Sequence, residues 1–222
     1  MSATHPPYPL GAAPAPSLEA RGAVRAGDAL DVRALPSYGF GASSLMWWGT
    51  LGVMAIEATV FAMAAVAYFY LRTQADEWPL GVPPPKLLWG TLNTLILLAS
   101  AIPNQWAKRA AQRHDLEGVR RALPICIAFA VAFIVVRAFE FTTLECRWDT
   151  NAYGSIVWML LGLHTTHLLT DFADTAVLAV LMFTGPLEGK RFADVAENAV
   201  YWDFVVLAWL PIYAVIYWAP RF

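Results

Sequence analysis

The chain has 222 residues, of which 58% are hydrophobic and only 14% charged, with a mean hydropathy of +0.49. That apolar excess excludes an ordinary soluble domain and points to a membrane protein whose apolar mass faces lipid. A formal net charge of −2, with no basic run, excludes nucleic acid as a partner.

Residues 1–44 are rich in Pro, Ala and Gly and have no hydrophobic periodicity, which predicts a cytoplasmic tail or partner-wrapping arm. The start lacks the basic region, short apolar core and small-residue cleavage site of a secretion signal, so the tail is expected to stay attached. From 45 to 222 five apolar runs follow, at 45–71, 87–107, 123–144, 154–183 and 200–219, each reaching the roughly 20 residues that a spanning helix needs. The predicted fold is all-α, a polytopic bundle of five transmembrane helices. Neither an internal repeat nor a pair of Gly/Pro-broken helices is visible, which argues against a secondary transporter. Trp47, Trp48, Tyr68, Tyr70, Trp106, Trp202 and Trp218 cluster near the ends of the runs, as an interfacial aromatic belt does.

The connecting segments set the orientation. One side carries ten basic residues: Arg21, Arg25 and Arg33 in the tail, Lys108, Arg109, Arg113, Arg120 and Arg121 after the second run, and Lys190 and Arg191 after the fourth. The other side has four, Arg72, Lys86, Arg147 and Arg221. An excess of Lys and Arg marks the cytoplasmic side, so the N-terminus is expected in the cytoplasm and the C-terminus in the periplasm. Arg137 alone remains, inside the membrane.

In the first run Glu57 lies midway between Met46-Trp47-Trp48 and Tyr68-Phe69-Tyr70-Leu71-Arg72. A carboxylate there needs a buried partner or must keep its proton, and intramembrane carboxylates are commonly functional. The plainer alternative is a carboxylate that only fixes helix packing. In the third run Arg137 and Glu140 stand at i and i+3 and can pair on one face. They could neutralise each other, or Arg137 could anchor a lipid phosphate or a partner carboxylate, with Glu140 holding it in place. In the fourth run His164, His167, Asp171 and Asp174 follow a 3-4-3 rhythm that projects all four from one side of a helix.

These histidines invite a metal or haem reading. A bis-histidine haem takes ligands from opposite faces of the macrocycle, normally from two helices, and no other run contains a histidine. A di-metal carboxylate site needs Glu-x-x-His motifs on two helices, and there is none. The expected role is a hydrogen-bonded polar network between helices formed by His164, His167, Asp171 and Asp174, reaching Glu57 or Glu140. Binding of a single ion is the alternative. Cys126 and Cys146 lie at opposite ends of one helical run, roughly 30 Å apart at 1.5 Å per residue, too far for a disulfide. Pro211 falls inside the fifth run, where a kink is possible.

Several blocks in order now resemble a known family. They are Glu57 in an aromatic-flanked first span; Leu92-Asn93-Thr94-Leu95-Ile96-Leu97-Leu98 with Ser100 and Trp106; Arg137-Ala138-Phe139-Glu140-Phe141; Tyr153-Gly154-Ser155; Gly162-Leu163-His164-Thr165-Thr166-His167; and Tyr201-Trp202-Asp203-Phe204 with Trp209, Tyr213, Tyr217 and Trp218. Together they are similar to subunit III of the haem-copper (cytochrome c or quinol) oxidases and extend over residues 45–219. The resemblance implies an all-helical subunit of a bacterial cytoplasmic (inner) membrane, without a redox centre of its own. Haem and copper would belong to partner subunits, the catalytic subunit I and subunit II. It also implies bound phospholipid, support of proton uptake by the catalytic subunit, protection from turnover inactivation, and a carbodiimide-reactive carboxylate at Glu57.

Three departures from the family pattern are evident. The usual seven spans are five here, with the matches beginning at what is normally the third, so the family's lipid-holding cleft is expected to be open or filled by another subunit. Asp203 stands where the last-span motif usually has histidine, and Asp171 and Asp174 replace apolar or small residues. Two other functions remain open on the sequence: an accessory subunit of a nitric oxide reductase, and a stand-alone ion transporter.

Overall fold

The computed structural model describes residues 38–186 and 188–222; the greater part of the expected tail, residues 1–37, lies outside them. The fold is all-helical. Five helices are long and apolar enough to cross a membrane: α1 (Leu45–Thr73), α2 (Leu87–Gln112), α3 (Leu116–Thr142), α4 (Ala152–Thr184) and α5 (Gly189–Tyr213), the last continuing through a π turn at Ala214–Trp218. Pro211 removes one backbone donor, and the wider turn follows three residues later.

The helices outrun the apolar runs most clearly in three places. α2 continues to Gln112, α3 starts at Leu116 rather than 123, and α5 starts at Gly189 rather than 200. Hydropathy marks only the lipid-facing middle of a helix, whereas the backbone ladder continues wherever termini are satisfied. At α3 that condition is met by Asp115, whose side chain accepts a hydrogen bond from the Gly118 amide at 3.0 Å. The turn before it places His114 at φ 55°, a left-handed conformation in which histidine is over-represented. At α4, Asn151 accepts from the Gly154 amide at 2.8 Å.

α5 occupies the middle of the bundle, touching α1, α2 and α4, while α2 also packs on α3 and α3 on α4. Its interior face is correspondingly aromatic and fully enclosed, with Trp209 and Ile216 at 0% exposure. α1 is peripheral and packs mainly against α4 and α5, leaving Ile56, Met63 and Val66 more than half exposed. Such a face is stable in lipid, where burial offers no gain over hydrocarbon. A second apolar cluster sits at the other end of the bundle, where Ala111, Val119, Leu123 and Met182 meet Phe192, and Phe40 packs against it from the segment preceding α1.

Glycine matters most at Gly90 on α2. A Cβ there would run into the ring of Tyr217, so only a bare backbone lets the end of the last helix lie flat on α2. The same end is tied by Arg221, which donates to the carbonyls of Tyr217 and, at 2.6 Å, Pro85. Arg72 donates to the Ala219 carbonyl at 3.1 Å.

Candidate functional site

The intramembrane polar residues resolve into separate groups. The first joins α2, α3 and the end of the last helix. Arg137 Nη1 lies 3.0 Å from Glu140 Oε2, and both residues are 1% exposed. Asn93 Nδ2 donates to Glu140 Oε2 at 2.6 Å, and the Tyr217 hydroxyl donates to Oε1. The Arg137 guanidinium also lies over Trp209, 4.1 Å from the ring centroid, and over Phe133 at 4.8 Å. Trp209 Nε1 in turn donates to Thr94 Oγ1 at 2.8 Å.

Of the two expectations for Arg137, the geometry is that of the self-neutralising pair: the guanidinium is enclosed in the chain beside Glu140 and between two aromatic faces. The reason is position: three residues from Glu140 on α3, it points at α5, where Trp209 offers a π surface that lipid cannot.

The second group joins α1, α4 and α5. The Tyr201 hydroxyl donates to Glu57 Oε2 at 2.8 Å, and His167 Nε2 lies 3.4 Å from Glu57 Oε1. His167 Nδ1 lies 2.7 Å from the Leu163 carbonyl, which can only accept, so Nδ1 carries a proton. The neutral ring therefore presents a bare Nε2 to Glu57. A proton between them gives either a neutral acid beside a neutral imidazole or a carboxylate beside an imidazolium. Phe61 covers the imidazole, its centroid 4.9 Å away. Glu57 is thus placed to share a proton with His167, while its other oxygen accepts from Tyr201.

Among the described residues the stripe on α4 makes no hydrogen bond to Glu140, whose partners are Asn93, Tyr217 and Arg137. A 3-4-3 spacing spreads over a sector wide enough for two neighbours: His164 and Asp171 turn into the bundle, His167 and Asp174 toward α1. His164 is 0% exposed, and its Nε2 donates to the Val205 carbonyl at 3.1 Å, with Trp209 4.9 Å from its ring. Asp171 is 1% exposed, and neither carboxyl oxygen has a hydrogen-bond partner among the described residues. Glu140 belongs to the first group. Of the stripe, only His167 meets Glu57.

Beside the Glu57 group opens a cleft of about 580 Å³ between α1, α4 and α5. Asp174 lines it, as does Tyr201, so the hydroxyl that holds Glu57 forms part of its wall. On the opposite side of α5, Asp203 accepts from Asn104 Nδ2 at 2.9 Å and Gln105 Nε2 at 2.5 Å, with Lys108 Nζ 3.9 Å away. Asp203 is thus held by α2. Cys126 and Cys146 are both free thiols. Cys146, in the segment between α3 and α4, has its thiol pushed upward by burial. Among the described residues no group of three His, Cys, Asp or Glu is gathered as metal ligands would be.

Sequence reasoning missed Asn93, Tyr201, Tyr217 and Trp209 as partners of the charged residues. A signal existed for Asn93, an amide in the apolar block Leu92–Leu98, because a buried amide needs partners. Tyr201 and Tyr217 stand near the ends of the fifth run, where tyrosine usually sits at a membrane interface, so nothing in the sequence marks them as partners of a buried carboxylate.

The chain is similar to known proteins over nearly the whole of its membrane part. The family model described as cytochrome c oxidase subunit III matches residues 46–220. A protein named cytochrome c oxidase subunit 3 from Thermostichus vulcanus is 26% identical over 177 residues, covering 78% of this chain and 87% of that protein. A probable cytochrome c oxidase subunit 3 from Mycobacterium bovis is 31% identical over 178 residues, covering 76% and 85%. The Synechocystis protein of the same name is 25% identical over 181 residues, covering 80% and 77%. The matched region contains all five membrane helices and both polar groups, and the chain belongs to the cytochrome c oxidase subunit III family.

Proposed function

We propose that the chain serves as the non-catalytic subunit III of a bacterial haem-copper terminal oxidase, docked on catalytic subunit I in an assembly that also contains subunit II. The observation that carries this reading is the family match over residues 46–220, which spans the helices that build both polar groups. In this reading haem and copper belong to the partner subunits, and this chain contributes protein and lipid surface. The chain lies in the inner membrane, with its N-terminus in the cytoplasm, on the side bearing the ten basic residues. Phospholipid occupies the cleft between α1, α4 and α5, whose wall combines apolar and charged groups.

The chemistry proposed for the site is supported by its geometry and, for Glu57, by the family resemblance. Arg137 and Glu140 pin α2, α3 and α5 together. Glu57, sharing a proton with His167 and steadied by Tyr201, is the carboxylate that supports proton uptake and reacts with carbodiimide. Glu57→Gln keeps a hydrogen-bonding side chain of the same shape, so the complex should assemble normally. Two changes are expected in the purified complex: carbodiimide labelling of this chain is lost, and sustained oxygen consumption decays within fewer turnovers. Labelling and turnover life equal to wild type would reduce Glu57 to a packing residue. An accessory role in a nitric oxide reductase is decided by the same preparation, through which gas the co-purified subunit reduces.

A further inference from the structure

α1 is held unevenly along its length. Its buried residues, Phe61, Ala64 and Tyr68, all belong to its second half, where Trp78 Nε1 also donates to the Tyr68 hydroxyl at 2.9 Å. The first half, up to Val60, contains no buried residue. Met46, Gly49, Thr50 and Val53 face the cleft instead, and a Cβ on Gly49 or Gly52 would meet nothing within 4 Å. Glu57 stands at the boundary, one helical turn before Phe61. A half-helix with so little packed against it needs another tie to keep its place.

The segment ahead of α1 supplies that tie. Phe40 packs on the second apolar cluster, with its ring edge-on to His114 at 5.5 Å, and His114 in turn lies 5.1 Å from Phe192. The Tyr38 hydroxyl occupies the space that a Cβ on Gly189 would fill. Gly41, at φ 63°, turns the chain out of this seat toward α1, a conformation that glycine adopts without strain. Trp48 Nε1 then donates to the Ala42 carbonyl at 3.1 Å, fastening the first turn of α1 to the strap. Residues 38–44 therefore join the start of α1 to the α2–α3 turn and to the start of α5.

We propose that Phe40 is a positioning residue for Glu57. Seated against His114, it holds the first half of α1 at the distance from α4 and α5 at which Glu57 meets both His167 and Tyr201. Loss of the seat lets that half swing about the packed Phe61, which widens the cleft and draws Glu57 from the Tyr201 hydroxyl in its wall.

The test uses the intact complex with spin labels at Val53→Cys and Val177→Cys, two residues that face each other across the cleft, in a Cys126→Ser, Cys146→Ser background. Pulsed electron resonance should give a single narrow distance in the wild-type strap and a longer, broader one in Phe40→Ala. Carbodiimide labelling of Glu57, measured without spin labels, should be faster in Phe40→Ala by about fivefold, the scale of one lost aromatic contact. Phe40→Leu, which refills the seat with an apolar side chain, should restore most of both readings. Gly189→Ala, which displaces Tyr38, should move them in the direction of Phe40→Ala. A residue that only adds stability would lower the unfolding temperature and leave distance and labelling in the folded complex unchanged. That result for Phe40→Ala overturns the proposal. A broad wild-type distance overturns it too, and decides even where the variants assemble poorly. The labelling arm rests on the reading of Glu57 as the carbodiimide-reactive carboxylate. If wild-type Glu57 does not label, that reading fails and the distances alone decide this one.

Discussion

Glu140→Ala is expected to destabilise the folded chain by about 3 to 5 kcal/mol, because it leaves the Arg137 guanidinium enclosed without its counter-charge. The same change removes the acceptor used by Asn93 and by the Tyr217 hydroxyl, so three helices lose their common partner at once. The measurement is thermal unfolding of the purified complex, together with the amount of this chain recovered per cell. A double replacement, Arg137→Met with Glu140→Leu, should be far milder than Glu140→Ala, since removing both charges leaves no uncompensated ion. Equal damage from the single and double variants would show that the charges are not what the site depends on.

Trp209→Ala carries the second large effect. Trp209 is 0% exposed, donates to Thr94 at 2.8 Å and lies under the Arg137 guanidinium at 4.1 Å. Truncation leaves a void among Phe133, His164 and Arg137, and a loss of about 3 kcal/mol or more is expected from the missing contacts. Trp209→Phe should recover most of the packing while losing the bond to Thr94. Full stability of Trp209→Ala by the same unfolding measurement would contradict the central place given to α5.

The two variants bear on what could be read from the residues alone. The existence and number of the helices followed from apolar run length, and the match of α1 to the run at 45–71 was within two residues at its end. The starts of α3 and α5 were not legible, because Glu117, Arg120 and Arg121 on one, and Lys190, Arg191 and Asp194 on the other, lower the hydropathy of segments that still form helix. Arg137 with Glu140 was legible as a pair from its i, i+3 spacing. That Arg137 turns inward was not, since the decisive partner, Trp209, stands 72 positions later. Glu57 was legible as the unusual carboxylate of the first span, but its partners lie on α4 and α5, and helix adjacency has no signature in one sequence. The α4 stripe illustrates the same limit. A helix face broad enough to carry four polar residues is broad enough to meet two neighbours, which is why His167 finds Glu57 while His164 finds the Val205 carbonyl.

The acidity of α4 now has two different meanings. Asp174 lines the cleft, where its charge can act on a ligand, whereas Asp171 is enclosed in the bundle without a partner among the described residues. Two positions that look equivalent in the sequence therefore belong to different surfaces.

The central claim is that this chain is a built-in subunit of a haem-copper oxidase, and co-purification tests it most directly. An affinity tag on this chain, gentle solubilisation and a single capture step should bring down a catalytic subunit carrying haem and copper, with a reduced-minus-oxidised haem spectrum and oxygen consumption in the eluate. A tagged chain that is folded and abundant, yet elutes without haem or any partner subunit, would contradict the account.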